Sequence, residues 1–263
     1  MQNILVSIEA DLPSSIALRY ACRLADLTQA KVQIIHVKEP DEAGPAVGAG
    51  WARLTWQKEL LVQARQEITQ LLNDDMNRCA TLSQPIVAVG GRESHVLAEL
   101  GRKAYDLLVE GLPAPLNPSA LHHALRSETL QKAHCPVLLA LTMAPLERAL
   151  VCLHPGDQGQ VECFGRLFAR TGVTVDLLGL DFQESGSAAS KGSLELALAE
   201  ARRTLTGLGL RVEKESVRRE RPESMASLLD GYGLLVAPLV RDAHLQQPWV
   251  VLLGNASTSM LLC

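Results

Sequence analysis

The stretch Tyr105-Asp106-Leu107-Leu108-Val109-Glu110-Gly111-Leu112 recurs as Tyr232-Gly233-Leu234-Leu235-Val236-Ala237-Pro238-Leu239, with five identities in eight positions. A repeat at that separation calls for two copies of one supersecondary pattern rather than a single large domain. Each copy must then be built from the elements that surround the repeated stretch. Upstream of Tyr105 stand apolar runs of four to six residues at Ile4 to Ile8, Val32 to Val37 and Pro85 to Val89. Between them lie apolar positions at helical spacing: Ile16, Ala17, Tyr20, Ala21, Leu24 and Ala25, then Leu60, Leu61, Ala64, Ile68, Leu71 and Leu72. Short apolar strands alternating with helices indicate parallel strands buried on both faces, a doubly wound α/β architecture.

The pattern restarts at Arg148 to Leu153, which repeats the opening strand, and Val175 to Leu180 repeats Val32 to Val37. Two tandem doubly wound parallel-sheet domains follow, at residues 1–143 and 147–263, the second degenerate and shortened. A second anchor pairs Pro136-Val137-Leu138-Leu139-Ala140-Leu141 with Pro248-Trp249-Val250-Val251-Leu252-Leu253. Tyr105 stands 31 positions before Pro136, but Tyr232 only 16 before Pro248. The deficit matches a loop plus a three-turn helix, so the last crossover helix is expected to be missing from the second domain. The halves are expected to pair through their last strands, Val137 to Leu141 beside Val250 to Leu253, as an internal pseudo-dimer that covers both edges.

Composition narrows the function. Charged residues make up 21% and the net charge is −4, so no basic field exists to release phosphate counterions, and nucleic acid is excluded as main partner. Aromatics at 3% leave little for base-stacking platforms or ligand cages. The six cysteines, Cys22, Cys79, Cys135, Cys152, Cys163 and Cys263, show no zinc-type spacing and read as buried thiols. Met1-Gln2-Asn3 runs directly into a short strand pattern, and Ala243 to Cys263 is interrupted by too many polar residues for a bilayer span. A cytoplasmic protein without membrane partner is expected.

In a doubly wound sheet, ligands lie beyond the carboxyl ends of the strands where strand order reverses. That directs attention to Glu9 to Asp11 and to Gly111 onward. Here strand one with a following acidic residue, Ile34-Ile35-His36-Val37, Asp106-Leu107-Leu108-Val109-x-Gly111 and Cys135-Pro136-Val137-Leu138-Leu139 resemble the universal stress protein (UspA-type) domain. The resemblance spans nearly all of residues 1 to 142 and, more faintly, 147 to 254. For nucleotide-binding members it implies an Asp after strand one and a loop G-x-x-G-x9-G-[ST], whose glycines let backbone N–H groups approach phosphates. In this chain Glu9 stands at the Asp position and His154 in the second copy. Gly111 matches the first glycine, the second falls on Ala114, and the third on His123 or Ala124. Pro113, Pro115 and Pro118 remove three N–H donors. No glycine loop follows Ala237-Pro238. The first-domain cleft, lined by Glu9, Ala10, Val37, Gly111, Ala114 and His123, is therefore expected to bind a ligand other than ATP, if any.

Other candidates have plain structural readings. His122 and His123 are adjacent on a helix, so they point about 100° apart and share no metal readily. His36 reads as a satisfied core or rim histidine, Glu9 as a cap or solvated carboxylate, Cys135 as a buried thiol, and Gly90-Gly91 as a turn. Arg218-Arg219-Glu220-Arg221 reads as a solvated edge. Trp51 and Trp56 are read as packing the two domains together, with covering an apolar pocket as the alternative. No P-loop or G-x-G-x-x-G occurs, and the S-G-G-x-D-S loop of an adenylating enzyme is replaced by Glu9-Ala10-Asp11-Leu12-Pro13. The expectation is a tandem universal stress protein with a non-catalytic regulatory or binding role, no cofactor, and an unidentified protein or small molecule as partner. A further homodimer is left open. The alternative is a nucleotide-binding switch or weak ATPase using the first domain.

Overall fold

The computed structural model describes residues 1–40, 50–73, 79, 81–154, 159–182 and 191–263, with the side chains of 50–53, 73 and 191 outside that description. The first half runs β1 (Asn3–Ile8), α1 (Leu12–Thr28), β2 (Lys31–Lys38), α2 (Gly50–Asn73), β3 (Ile86–Val89), α3 (Arg92–Arg102), β4 (Leu107–Gly111), α4 (Pro118–Leu125), α5 (Glu128–Lys132) and β5 (Val137–Ala140). The second runs β6 (Arg148–Leu153), α6 (Gly159–Phe168), β7 (Thr174–Phe182), α7 (Lys191–Gly207), β8 (Arg211–Glu220), α8 (Pro222–Met225), β9 (Leu234–Ala237), α9 (Pro248–Gly254) and β10 (Met260–Leu262).

Among the described residues ten strands join one sheet, in the order β3-β2-β1-β4-β5-β10-β9-β6-β7-β8. Every neighbouring pair is parallel except β5 and β10, which meet antiparallel with Leu261 opposite Leu138. Strand order reverses between β1 and β4, and again between β6 and β9. One face packs beneath α1, α2, α6 and α7, with Ile4, Val6, Tyr20, Phe164 and Phe168 fully buried. The other packs beneath α3, α4, α5, α8 and α9, around Leu5, Leu108, Val96 and Trp249. Both cores run unbroken through the two halves, because residues on each side of the β5–β10 seam belong to the same clusters.

Local chemistry sets the element ends. Asp11 caps α1 by accepting the Ser14 N–H at 2.9 Å, Pro13 sits in the first turn, and Gln29 closes the helix in the left-handed region at φ 57°. Asn117 caps α4 by accepting the Ala120 N–H at 2.9 Å, with Pro118 at its first position.

The second half corrects two expectations. Pro248 to Leu253 is not a strand but lies in α9, and this helix is the last crossover that the spacing argument removed. An apolar run of six cannot be assigned by periodicity, and proline at the first helical position belongs to a helix start rather than a central strand. The strand that repeats β5 is β10, only three residues long, after the polar Ser257-Thr258-Ser259. Measured between true equivalents, Leu107 precedes Val137 by 30 positions and Leu234 precedes Met260 by 26. What the second half lacks is a counterpart of the five-residue α5. The last strands of the two halves do pair, but β5 meets Met260 to Leu262 rather than Val250 to Leu253. Those latter residues belong to α9, which packs against α4 so closely that a Cβ on Gly254 would lie 2.5 Å from Pro118 Cα.

The tryptophan expectation is also corrected. Trp56 is half-buried on α2, which packs on β2 and β3 at the outer edge of the sheet, away from the seam. The Trp51 side chain lies outside the described residues. The contacts that do join the halves come from elsewhere. Tyr20 Oη donates to Gly233 O at 2.7 Å, and Ser259 Oγ accepts the N–H groups of Leu141 and Thr142 at 3.0 and 3.2 Å. Arg241, just after β9, donates to the carbonyls of Leu130 and Ala133 and so caps the end of α5.

Candidate functional site

The reversal between β1 and β4 places the carboxyl ends of β2, β1 and β4 side by side. Ile8 is paired with His36 and Ser7 with Glu110, so Glu9, Val37 and Gly111 stand at neighbouring strand ends. Ala10 is exposed beside them, and Val37 is buried in the core on the α3 face. Ala114 and His123 are exposed on the loop after β4 and on α4, a helix that packs mainly against α9 rather than over β1.

The cleft is occupied by the protein's own groups. The Glu9 N–H donates to Ser14 Oγ at 2.8 Å, which folds the β1–α1 loop back over the strand end. A Cβ on Gly111 would lie 2.2 Å from Pro13 O and 2.4 Å from Pro13 C. Gly111 thus lets the first turn of α1 rest on β4, which is a packing role in place of a phosphate-approach role.

Across these strand ends reaches Arg92 from the start of α3. Its Nε donates to Ser7 Oγ at 3.1 Å and its Nη2 to Glu110 Oε1 at 3.1 Å, while Nε lies 3.4 Å from Glu9 Oε1. The Arg92 backbone N–H is taken by Glu39 Oε1 at 2.8 Å. Glu110 is 7% exposed, and burial pushes its carboxyl above the usual range. Arg92 opposes that rise, whereas Glu93 and Glu9 add to it. Two carboxylates, Glu9 and Glu110, therefore face one guanidinium, with Glu39 on the Arg92 backbone N–H, at the point where a phosphate would need donors and positive charge. Sequence reading missed Arg92, Ser7 and Glu110. The available signal was a polar residue in each of two apolar strands, Ser7 in β1 and Glu110 in β4, both on the α3 face.

His36 is buried, with Nδ1 3.0 Å from Ile8 O, but its Nε2, 3.6 Å from Glu67 Oε2, has no hydrogen-bond partner, so the satisfied histidine of the sequence reading is satisfied on one ring nitrogen only. Burial pushes the Cys135 thiol up to about 11. His122 is half-buried and His123 exposed, and among the described residues no group of three His, Cys, Asp or Glu side chains is placed to hold a metal. In the second half, His154 stacks on Phe182 with centroids 5.7 Å apart, and Phe182 meets Trp249 edge-on at 5.5 Å. His154 follows β6 as Glu9 follows β1, and Phe182 ends β7. A cavity of about 610 Å³ lies instead at the opposite strand ends, lined by Arg23, Leu27, Leu146 and Thr171 among others.

No protein-family model matches the chain, and no curated protein matches it by sequence. Solved structures do match. A universal stress protein from Archaeoglobus fulgidus DSM 4304 superposes with a TM-score of 0.69 at 10% identity, covering 99% of this chain and 95% of that one. A functionally unknown protein from Pseudomonas aeruginosa PAO1 gives a TM-score of 0.59 at 17% identity, covering 99% and 92%. The likeness runs the full length in both, so the chain has the α/β fold of these two structures, one of them a universal stress protein. Among the described residues no helix is long and apolar enough to cross a membrane.

Proposed function

We propose that this chain is a tandem universal stress protein that works as a non-catalytic regulatory or binding module in the cytoplasm, with its two halves forming an internal pseudo-dimer. The full-length fold likeness and the continuous ten-stranded sheet support this reading. The observations that carry its non-catalytic part are Arg92 held among Ser7, Glu9 and Glu110, and Gly111 packed against Pro13.

A triphosphate would have to displace Arg92 from its carboxylates or accept their repulsion. It would also find few donors. Pro113, Pro115 and Pro118 carry no N–H, and the Ala120 N–H at the start of α4 is already bonded to Asn117. Hydrogen bonds to charged groups contribute roughly 1.5 to 3 kcal/mol. Losing two of them lowers affinity by about two to four decades. Neither half therefore binds ATP at micromolar concentration, and the chain hydrolyses none.

Calorimetric titration of Mg-ATP into the full chain tests this, alongside mass spectrometry of small molecules released from protein purified without added nucleotide. The expected result is no saturable heat and no co-purifying nucleotide. A dissociation constant below about 10 μM, equivalent to roughly 7 kcal/mol of binding, would replace this reading with the nucleotide-dependent switch.

A further inference from the structure

Two of the six cysteines meet at the seam between the halves. Cys163 projects from α6, and Cys263 follows β10 directly; their thiols are hydrogen-bonded to each other. The Cys263 backbone is held on both sides, its N–H donating to Ala237 O at 3.1 Å and its carbonyl accepting from Leu239 N–H at 2.6 Å. Neither cysteine is fully buried. Cys163 lines a cavity of about 430 Å³ together with Arg166, Tyr105, Asp106 and Cys135, where α6 of the second half faces the amino ends of β4 and β5 of the first. Cys263 is not among the residues that line this cavity and meets Cys163 through the thiol–thiol hydrogen bond.

We infer that Cys163 and Cys263 form a reversible dithiol–disulfide site that hydroperoxides reach through this cavity. Cys163 is the attacking thiol because it lines the cavity and Arg166 lies one helical turn on, favouring the thiolate. Its hydrogen bond from Cys263 acts in the same direction and holds the Cys163 thiol below the usual range, while the Cys263 thiol is held above it. The Cys163 thiolate attacks the terminal peroxide oxygen, the O–O bond breaks, and hydroxide (from hydrogen peroxide) or alkoxide (from an organic hydroperoxide) leaves and is protonated, giving Cys163 sulfenic acid. Cys263 sulfur then displaces the sulfenic oxygen, which departs as water with the Cys263 thiol proton, and the S–S bond forms. In sum, two thiols and one hydroperoxide yield one disulfide, water and the peroxide's reduced product, water or an alcohol. Reduction by a small dithiol restores the pair. The disulfide would tie α6 to the strand that joins the halves.

A second pair provides an internal comparison. Cys79 is hydrogen-bonded to Cys22, and that bond pulls its thiol down to about 7. Both are buried, at 4% and 7% exposure, in the core beneath α1 and α2. If thiolate character alone decided reactivity, Cys79 would oxidise first; if access decides, Cys163 does.

The test treats the full chain with one to a few equivalents of hydrogen peroxide and maps peptides without reduction. The expected result is a peptide pair linked through Cys163 and Cys263, loss of two of the six free thiols, and full return on adding dithiothreitol. In Cys263→Ser, Cys163 should accumulate as a sulfenic acid trapped by dimedone. In Cys163→Ser, Cys263 should stay unmodified. Oxidation first at Cys22–Cys79, a link from Cys163 to Cys135 or to a second chain, or no disulfide in the wild-type chain would each overturn the assignment. The wild-type map carries the test even where a serine variant folds poorly.

Discussion

Gly111 offers the sharpest separation between a phosphate-binding loop and a packed loop, because the two roles respond differently to one methyl group. In Gly111→Ala the added Cβ would stand 2.2 Å from Pro13 O, 2.4 Å from Pro13 C and 2.9 Å from Ser14 N. All three are backbone atoms, so no side chain can rotate away. Ordinary contact needs about 3.4 Å or more, which requires the first turn of α1 to move by roughly an ångström from the end of β4. Overpacking of this kind costs about 1 to 3 kcal/mol. The displaced turn also carries Ser14, whose Oγ accepts the Glu9 N–H, and Asp11, whose carboxylate caps the helix. Loss of either bond adds about 1 kcal/mol. The total is about 2 to 4 kcal/mol, a fall of roughly 5 to 15 °C in Tm for a chain of this size. Gly101 is the control. It lies inside α3 with nothing within 4 Å of its Cβ position, so Gly101→Ala should be neutral or raise stability by up to about 1 kcal/mol. Urea titration followed by circular dichroism measures both. A Gly111→Ala protein within about 0.5 kcal/mol of the parent would show that α1 does not rest on β4 in this way.

The other predictions concern the cleft and the seam. Burial raises the folded-state pKa of Glu110 above its ordinary 4.5, so its contribution to stability is complete below that value and is lost as pH rises through the raised pKa. Glu110→Gln should flatten the fall in urea midpoint above pH 4.5; an unchanged pH profile would mean that Glu110 does not titrate as placed. Tyr20→Phe removes a buried hydrogen bond to Gly233 O and should cost about 1 to 3 kcal/mol in the same titration, whereas a neutral effect would deny that contact a role in joining the halves. The isolated segment 1–143 exposes the β5 edge that β10 covers and should sediment as dimers or aggregates, in contrast to a stable monomer if the edge needs no cover.

Much of the fold was legible because its signals are local. Ile4 to Ile8 and Leu107 to Val109 are apolar runs too short for free-standing helices, and the Tyr105 and Tyr232 stretches mark β4 and β9 by near-identity. The placement of three candidate residues was legible to the same extent: strand order in a doubly wound sheet sends Glu9, Val37 and Gly111 to neighbouring strand ends. Pro248 to Leu253 shows where local signals fail, since six apolar residues suit a helix on a core as well as a strand within it. The outcome rested on α4, against which α9 packs, and on the three residues of β10 that fill the sheet between β5 and β9.

From sequence alone came the tandem α/β plan, the parallel strands and the absence of a glycine-lined phosphate loop, all carried by residue type, spacing and repetition. Only the tertiary structure decided that Arg92 would cross to Ser7 and Glu110, that Pro13 would cover Gly111, that Tyr20 would bond Gly233, and that Cys163 would meet Cys263. Each of these joins residues on different elements, and the last two span 213 and 100 positions. No periodicity encodes such meetings, because they depend on how whole helices settle on the sheet after the strands have paired.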